Sequence, residues 1–301
     1  MKAIIIRNST LEGITVTDLK KSIPKKNQVL IRVMASTVCR GDVSLRKIPK
    51  VILIPLGFLF GFKPMITPGV EFSGVVESVG HMVTKFKPGD QVMGTATSLA
   101  YGGNAEYLVV PEIRKVGVLI PKPEGLSFTQ AAALPVGAMT AYQMLQKVGT
   151  LPNKSILIYG ASGSVGTFAI QLAKHFSMNV TAVTSKANAE LVQSLGADQV
   201  LDYNNPSDFP PKQSFDRVLE CVGKLSGKQI KALLNKGGKA RTIKLPTKEV
   251  ESELVKLTQL VVQGKIKPVI DRSFPLSQVK QAHDYVETGR KRGNVVIKIT
   301  S

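Results

Sequence analysis

The sequence predicts an α/β protein of two parts: a compact β-barrel, then a doubly wound parallel sheet, with the last residues returning to the barrel. Three observations predict it. Short β-like runs punctuated by turns fill the first 120 residues, and after Pro121 strand-length apolar runs alternate with stretches of helical period. Residues 155–166 then carry a buried strand straight into three glycines spaced three apart. The parts read as residues 1–120, 121–265 and 266–301. At 301 residues the chain exceeds the size of a typical single domain, and its 43% hydrophobic content suffices for more than one core.

The barrel strands are expected at residues 4–6, 28–33, 71–79, 90–93 and 105–110. The second part starts with the strand entering the glycines. A helix over 165–176 follows, because Val165, Phe168, Ala169, Leu172, Ala173 and Phe176 form one apolar stripe. Strands are expected at 179–184, 199–203, 217–222 and 239–243, with helices at 188–195, 226–235 and 249–263. A helix over 276–288 and a strand over 294–299 close the chain. There is no internal repeat and no low-complexity linker.

The glycine turn is a place to hold a pyrophosphate. Lacking side chains at Gly160, Gly163 and Gly166, the chain can turn sharply and bring backbone N–H groups against phosphate oxygens, with a helix N-terminus facing the anion. Ser162, Ser164 and Val165 belong to the same turn. A Walker loop is excluded because Thr167 and Phe168 follow Gly166 where Lys and Ser or Thr are required. A hydrolase elbow is excluded because Gly160-Ala161-Ser162-Gly163-Ser164 ends in serine instead of glycine. NAD sites place a carboxylate at the end of the second strand, but here Thr184-Ser185-Lys186 stands there and no acid occurs until Glu190. A hydroxyl and a cation suit a 2′-phosphate, so the expected cofactor is NADP(H).

The two cysteines, Cys39 and Cys221, allow neither a disulfide framework nor a cysteine-rich metal site. The apolar N-terminal run is too short for a signal peptide, which points to the cytoplasm. The run over 51–62 contains Pro55 and is bracketed by Lys50 and Lys63, so no membrane span is expected. Net charge is +19, and residues 212–301 carry 19 Lys or Arg against 8 Asp or Glu. Such a field draws in a phosphorylated cofactor and attracts polyanions without regard to sequence. With no tryptophan and no aromatic interleaving among the lysines, no specific nucleic-acid partner is expected.

The chain resembles the medium-chain dehydrogenase/reductase superfamily, in particular its zinc-independent quinone oxidoreductase-like branch, over essentially its whole length. The resemblance rests on Cys39-Arg40-Gly41-Asp42, Pro68-Gly69-Val70-Glu71-Phe72-Ser73-Gly74, Gly102-Gly103-Asn104-Ala105-Glu106-Tyr107, Ala131-Ala132-Ala133-Leu134-Pro135, Thr140-Ala141-Tyr142, the glycine turn, Leu195-Gly196-Ala197-Asp198 and Gly293-Asn294-Val295-Val296-Ile297. It implies a GroES-like β-barrel, a Rossmann domain, and a cleft in which NADPH gives hydride to a quinone, an enone or a related carbonyl. Zinc-dependent relatives supply a cysteine where Cys39 stands and a histidine where this chain has Val70, which cannot ligate a metal. No metal is therefore expected, and conjugated small-molecule acceptors are favoured because hydride addition to them leaves a delocalised anion.

The resemblance also assigns residues. Gly160, Ser162, Gly163, Ser164, Val165 and Gly166 go to the pyrophosphate, Ser185, Lys186 and Tyr203 to the 2′-phosphate end, and Gly223 to the adenine ribose side. Thr140 and Asn294 match positions near the nicotinamide. Cys39 and Asp42 are candidate substrate-side residues, and water or Tyr142 the proton source. Phe58, Phe60 and Phe62 are expected to form an apolar acceptor pocket. The chain departs from the family after residues 239–243, where a late Rossmann strand and part of the subunit interface have no counterpart, so a family-like homodimer is in doubt. A second reading is a non-catalytic NADPH-binding protein that engages RNA or a protein partner through its basic surface.

Overall fold

The computed structural model describes residues 1–48, 67–96, 102–114, 116–245 and 247–299. The chain divides into two compact units, one of residues 1–136, 249–255 and 270–301, the other of residues 137–248 and 256–269.

In the first unit, β1 (Lys2–Ile6) and β2 (Ile14–Asp18) form an antiparallel pair. The remaining strands are β3 (Gln28–Val38), β4 (Glu71–Val79), β5 (Gln91–Thr95), β6 (Tyr107–Pro111), β7 (Leu119–Pro121), β13 (Ile270–Pro275) and β14 (Asn294–Lys298). They join in the order β13-β14-β3-β4-β5-β7, with β6 on β3. The length of β3 explains how one strand serves three partners. Its second half pairs with β14 over 35–38, its first half with β6 over 28–32, and β4 runs along its other edge. Ile4, Val29, Ile31, Val33, Phe72, Val92, Val295 and Ile297 fill one core between these strands.

The first unit runs to residue 136, not to 120, because the next segment packs on the barrel. A Ser127 capping box starts α2 (Phe128–Ala132), the helix after α1 (Arg40–Lys47). Ala132 and Ala133 are buried against Ala35 and Val296, and Ser73 Oγ donates to the Phe128 carbonyl at 2.6 Å.

The second unit is a parallel sheet of β8 (Ser155–Tyr159), β9 (Asn179–Thr184), β10 (Gln199–Asp202), β11 (Phe215–Glu220) and β12 (Leu234–Thr242), in the order β10-β9-β8-β11-β12. The strand order reverses between β8 and β11, the switch point at which doubly wound sheets bind ligands. Among the described residues β12 pairs only with β11, so the sheet ends where the sequence lacks the late strand. Its helices are α4 (Ser164–His175), α5 (Ala189–Ser194) and α6 (Gly227–Ala232). Two helices, α3 (Pro135–Val148) and α7 (Glu251–Val262), carry the chain across the boundary, and α8 (Val279–Glu287) belongs to the first unit. The expected helix over 226–235 is shorter because Leu234 already pairs with Phe215 as a strand residue.

Candidate functional site

The glycine turn is built as the spacing requires. Gly160 leaves β8 with φ at 78°, and a Cβ there would stand 2.2 Å from Val222 Cγ2. A Cβ on Gly166 would stand 2.3 Å from the Gly160 carbonyl oxygen, so only glycine lets α4 start this close to the strand. Gly163, the N-cap of α4, is different: a Cβ there would meet only the Gly160 oxygen, at 3.5 Å. The protein's own packing leaves Gly163 open, which fits a position where backbone meets an anion at a helix N-terminus. A dinucleotide pyrophosphate therefore fits the residues present.

Ser162 is oriented from the neighbouring strand. Thr184 Oγ1, at the end of β9, donates to Ser162 Oγ at 2.9 Å. Asn188 Nδ2 donates to the same oxygen at 3.1 Å and to Ser185 Oγ at 3.3 Å. Asn188 was not among the residues the sequence singled out, and its only signal was a place in the turn after the second strand. Exposed Lys186 follows Ser185 in a single 3₁₀ turn. Tyr203, 46% exposed, lies 6.3 Å from Tyr159 between ring centroids. Hydroxyls, an amide and a cation thus gather at the end of β9, where an NAD site would have a carboxylate.

The end of β11 holds a residue that sequence reasoning missed. Fully buried Glu220 accepts from the backbone N–H groups of Val222 at 3.1 Å, Gly223 at 2.7 Å and Lys224 at 3.1 Å, and from Thr242 Oγ1 at 2.9 Å. This carboxylate fixes Gly223, whose φ is 83°, and ties the loop after β11 to the end of β12. On α3, Thr140 Oγ1 lies 3.5 Å from Thr247 Oγ1, whereas Tyr142 accepts at its hydroxyl from Lys256 Nζ at 3.1 Å. Residues two apart on a helix point about 200° from each other, so the structure does not bring Thr140 and Tyr142 together. A cavity of about 310 Å³ beside His175 and Lys267 lies at the opposite end of α4 from the glycine turn.

In the barrel unit, Cys39 is the N-cap of α1 and its backbone N–H donates to Asp42 Oδ2 at 2.8 Å; Gly69 N–H donates to Asp42 Oδ1 at 3.1 Å. Glu71 accepts from Thr37 Oγ1 at 2.8 Å and from the Val136 N–H at 2.7 Å, where it caps the first turn of α3. Burial pushes the Cys39 thiol well above its usual range, raises Asp42, and moves the Glu71 carboxyl up to about 7. Burial also lowers Lys291, whose Nζ donates to the Gly293 carbonyl at 2.5 Å. Asn294 is buried as the first residue of β14. Phe58, Phe60 and Phe62 lie outside the described residues.

Among the described residues the polar groups around Cys39 are engaged by the protein itself. Val70 is buried where zinc-dependent relatives have a histidine, both oxygens of Asp42 and of Glu71 hold protein donors, and no metal-binding group of three His, Cys, Asp or Glu stands together among the described residues. Among the described residues no helix is long and apolar enough to cross a membrane.

A barrel of this connectivity joined to a five-stranded dinucleotide-type sheet defines a class of oxidoreductase, and comparison with known proteins agrees. Residues 25–124 match the alcohol dehydrogenase GroES-like domain, and residues 238–297 match a model described as zinc-binding dehydrogenase. The chain is 38% identical to 2-methylene-furan-3-one reductase of Solanum lycopersicum, over 91% of this chain and 72% of that protein. It is 34% identical to the chloroplastic NADPH-dependent alkenal/one oxidoreductase of Arabidopsis thaliana, over 95% and 76%. The solved quinone oxidoreductase from Coxiella burnetii superposes with a TM-score of 0.85 at 29% identity, over 100% and 99% of the two chains. The chain therefore belongs to the medium-chain dehydrogenase/reductase superfamily, among its quinone oxidoreductase- and alkenal reductase-like members. The expected cytoplasmic location does not extend to the Arabidopsis relative, which is chloroplastic by name.

Proposed function

We propose that this protein is an NADPH-dependent reductase of conjugated small-molecule acceptors, enones or quinones, that works without a metal. The observation that carries the reading is the pairing of an open Gly163 at the start of α4 with Ser185 and Lys186, and no carboxylate, at the end of β9. The names of the Solanum and Arabidopsis relatives support a reduced dinucleotide and a conjugated acceptor.

Gly160, Ser162, Gly163, Ser164, Val165 and Gly166 hold the pyrophosphate through backbone N–H groups and the α4 N-terminus. Ser185, Lys186 and Tyr203 are assigned to the 2′-phosphate end, Gly223 to the adenine ribose side, and Thr140 and Asn294 to the neighbourhood of the nicotinamide. When bound, the nicotinamide supplies a hydride to the acceptor. In the barrel unit Asp42 holds Cys39 in place through its backbone, and the raised Cys39 thiol stays protonated, so it packs against the acceptor without attacking it. Water supplies the product's proton in this reading, because Tyr142 is turned toward Lys256. Phe58, Phe60 and Phe62 are assigned to acceptor binding on sequence grounds alone.

The test is replacement of Lys186 by alanine with fluorescence titration of both cofactors. The reading expects NADPH binding to weaken about 10- to 100-fold, since hydrogen bonds to charged groups are worth roughly 1.5–3 kcal/mol, with NADH binding unchanged. Equal effects on both cofactors would overturn the assignment.

A further inference from the structure

The edge strand β12 lies in a stretch of one-sided charge that neither cofactor nor acceptor accounts for. Residues 221–248 hold seven lysines and one arginine and no aspartate or glutamate. Lys228 and Lys231 on α6 and Lys236 and Lys239 on β12 are all exposed. Among the described residues no carboxylate pairs with any of the four. Since α6 runs almost directly into β12, these cations flank the same strand.

That strand is open on both faces and along its outer edge. Lys239 and Ala240 are both exposed, and because side chains alternate along a strand, neither face is covered there. Among the described residues β12 pairs only with β11. Backbone polar groups alternate in direction too. The Ile243 N–H donates inward to the Glu220 carbonyl at 2.8 Å, so those of Ala240 and Thr242 face outward. The Thr242 carbonyl accepts from the Leu245 N–H at 3.2 Å, which leaves the Ala240 N–H, the Ala240 carbonyl and the Thr242 N–H along the edge. Another polypeptide strand satisfies such a row of donors and acceptor, whereas a phosphate, which only accepts, serves the N–H groups alone. A second copy of β12 would bring its own lysines against these, and like charges opposite each other destabilise a strand pair.

We propose that the β12 edge is a docking site for an extended acidic segment of a partner protein, which adds to the parallel sheet as a further strand. Main-chain hydrogen bonds to Ala240 and Thr242 hold the segment, and the flanking lysines select its charge. Docking there uses neither cofactor nor acceptor, so it stands or falls apart from the reductase reading.

The experiment titrates a fluorescently labelled, end-capped peptide of about eight residues, alternating glutamate and valine, with the full chain at low salt and reads anisotropy. Saturable binding is expected. Lysine in place of glutamate, or N-methylation of the peptide residues that face β12, should weaken it at least about tenfold. Ala240→Pro removes an outward N–H that an edge strand can spare, and should weaken binding at least about tenfold with thermal unfolding little changed. Lys236→Glu combined with Lys239→Glu should reverse the preference toward the lysine peptide. No saturable binding, or equal affinity for the acidic peptide and its N-methylated form, overturns the proposal. So does displacement by a single-stranded RNA of similar length at lower concentration than the unlabelled peptide requires, which would assign the surface to nucleic acid. A concentration-dependent dimer abolished by Ala240→Pro would assign the edge to a second copy and overturn it as well.

Discussion

Gly163 and Gly166 illustrate how a residue's role separates from its spacing. Both belong to one pattern, yet Gly166 is required by its 2.3 Å approach to the Gly160 oxygen and Gly163 by nothing in the protein itself. Gly166→Ala should therefore destabilise the fold by roughly 1–3 kcal/mol in thermal or urea unfolding, as overpacking does. Gly163→Ala should unfold near the unaltered protein while binding NADPH at least about tenfold more weakly, a loss of roughly 1.4 kcal/mol. The glycine turn itself was legible in the sequence because neighbouring residues build it. Glu220 and Asn188 were not, since each acts through a partner brought near by the sheet: Thr242 and Ser162.

Two buried residues of the barrel unit act on stability with opposite sign. Neutral His283, fully buried on α8, has its pKa lowered by burial from 6.5 to about 4. The unfolded chain takes up its proton first, so this stabilisation is complete above pH 6.5 and is lost as pH falls toward 4. Glu71 is raised from 4.5 to about 7, so the unfolded chain releases its proton first and stability is lost as pH rises from 4.5 to 7. Between pH 4.5 and 6.5 the two slopes, each about 1.4 kcal/mol per pH unit at most, oppose each other. Urea unfolding across that window should show the stability of His283→Leu, relative to the unaltered protein, falling as pH rises. That of Glu71→Gln should rise. Parallel curves for all three proteins would contradict the assignment.

At the scale of elements, β12 is where this chain differs from its expected pattern. The sheet stops at a strand whose exposed residues include Lys236 and Lys239, with the register shifting between its two pairings to β11 at residues 234 and 239. Charged side chains and irregularity are how edge strands avoid pairing with a second chain. Replacing Lys236 and Lys239 by threonine should shift the protein toward larger species in size-exclusion chromatography; an unchanged elution volume at high concentration would show that the edge is guarded otherwise. Order and type of the parallel strands were readable from alternating apolar runs and helical stripes. The short strands β2, β7 and β13 were not: β2 and β13 are largely exposed, β7 is only three residues long, and β7 and β13 are fixed by pairing with β5 and β14, more than 15 residues away along the chain. The α2 segment was assigned to the wrong side of the boundary for a related reason: its alanines are buried against Ala35 and Val296, a contact that composition does not announce.

For the whole molecule, the +19 charge gives the cofactor reading a kinetic signature. A basic field accelerates the encounter with a phosphorylated ligand, and ions screen it over about 8 Å at physiological ionic strength. NADPH association followed by stopped-flow fluorescence should slow about tenfold or more between low and high salt, with a smaller change in dissociation. The central claim is that the glycine turn and the Ser185-Lys186 end serve a reductase and not a silent binding protein. The most direct measurement is a fluorescence titration with NADPH and NADH, followed by loss of NADPH absorbance on adding a panel of quinones and enones. Preferential NADPH binding with acceptor-dependent oxidation is the predicted result; preferential binding with no oxidation by any acceptor would contradict it and leave a cofactor-binding protein whose basic surface serves another partner.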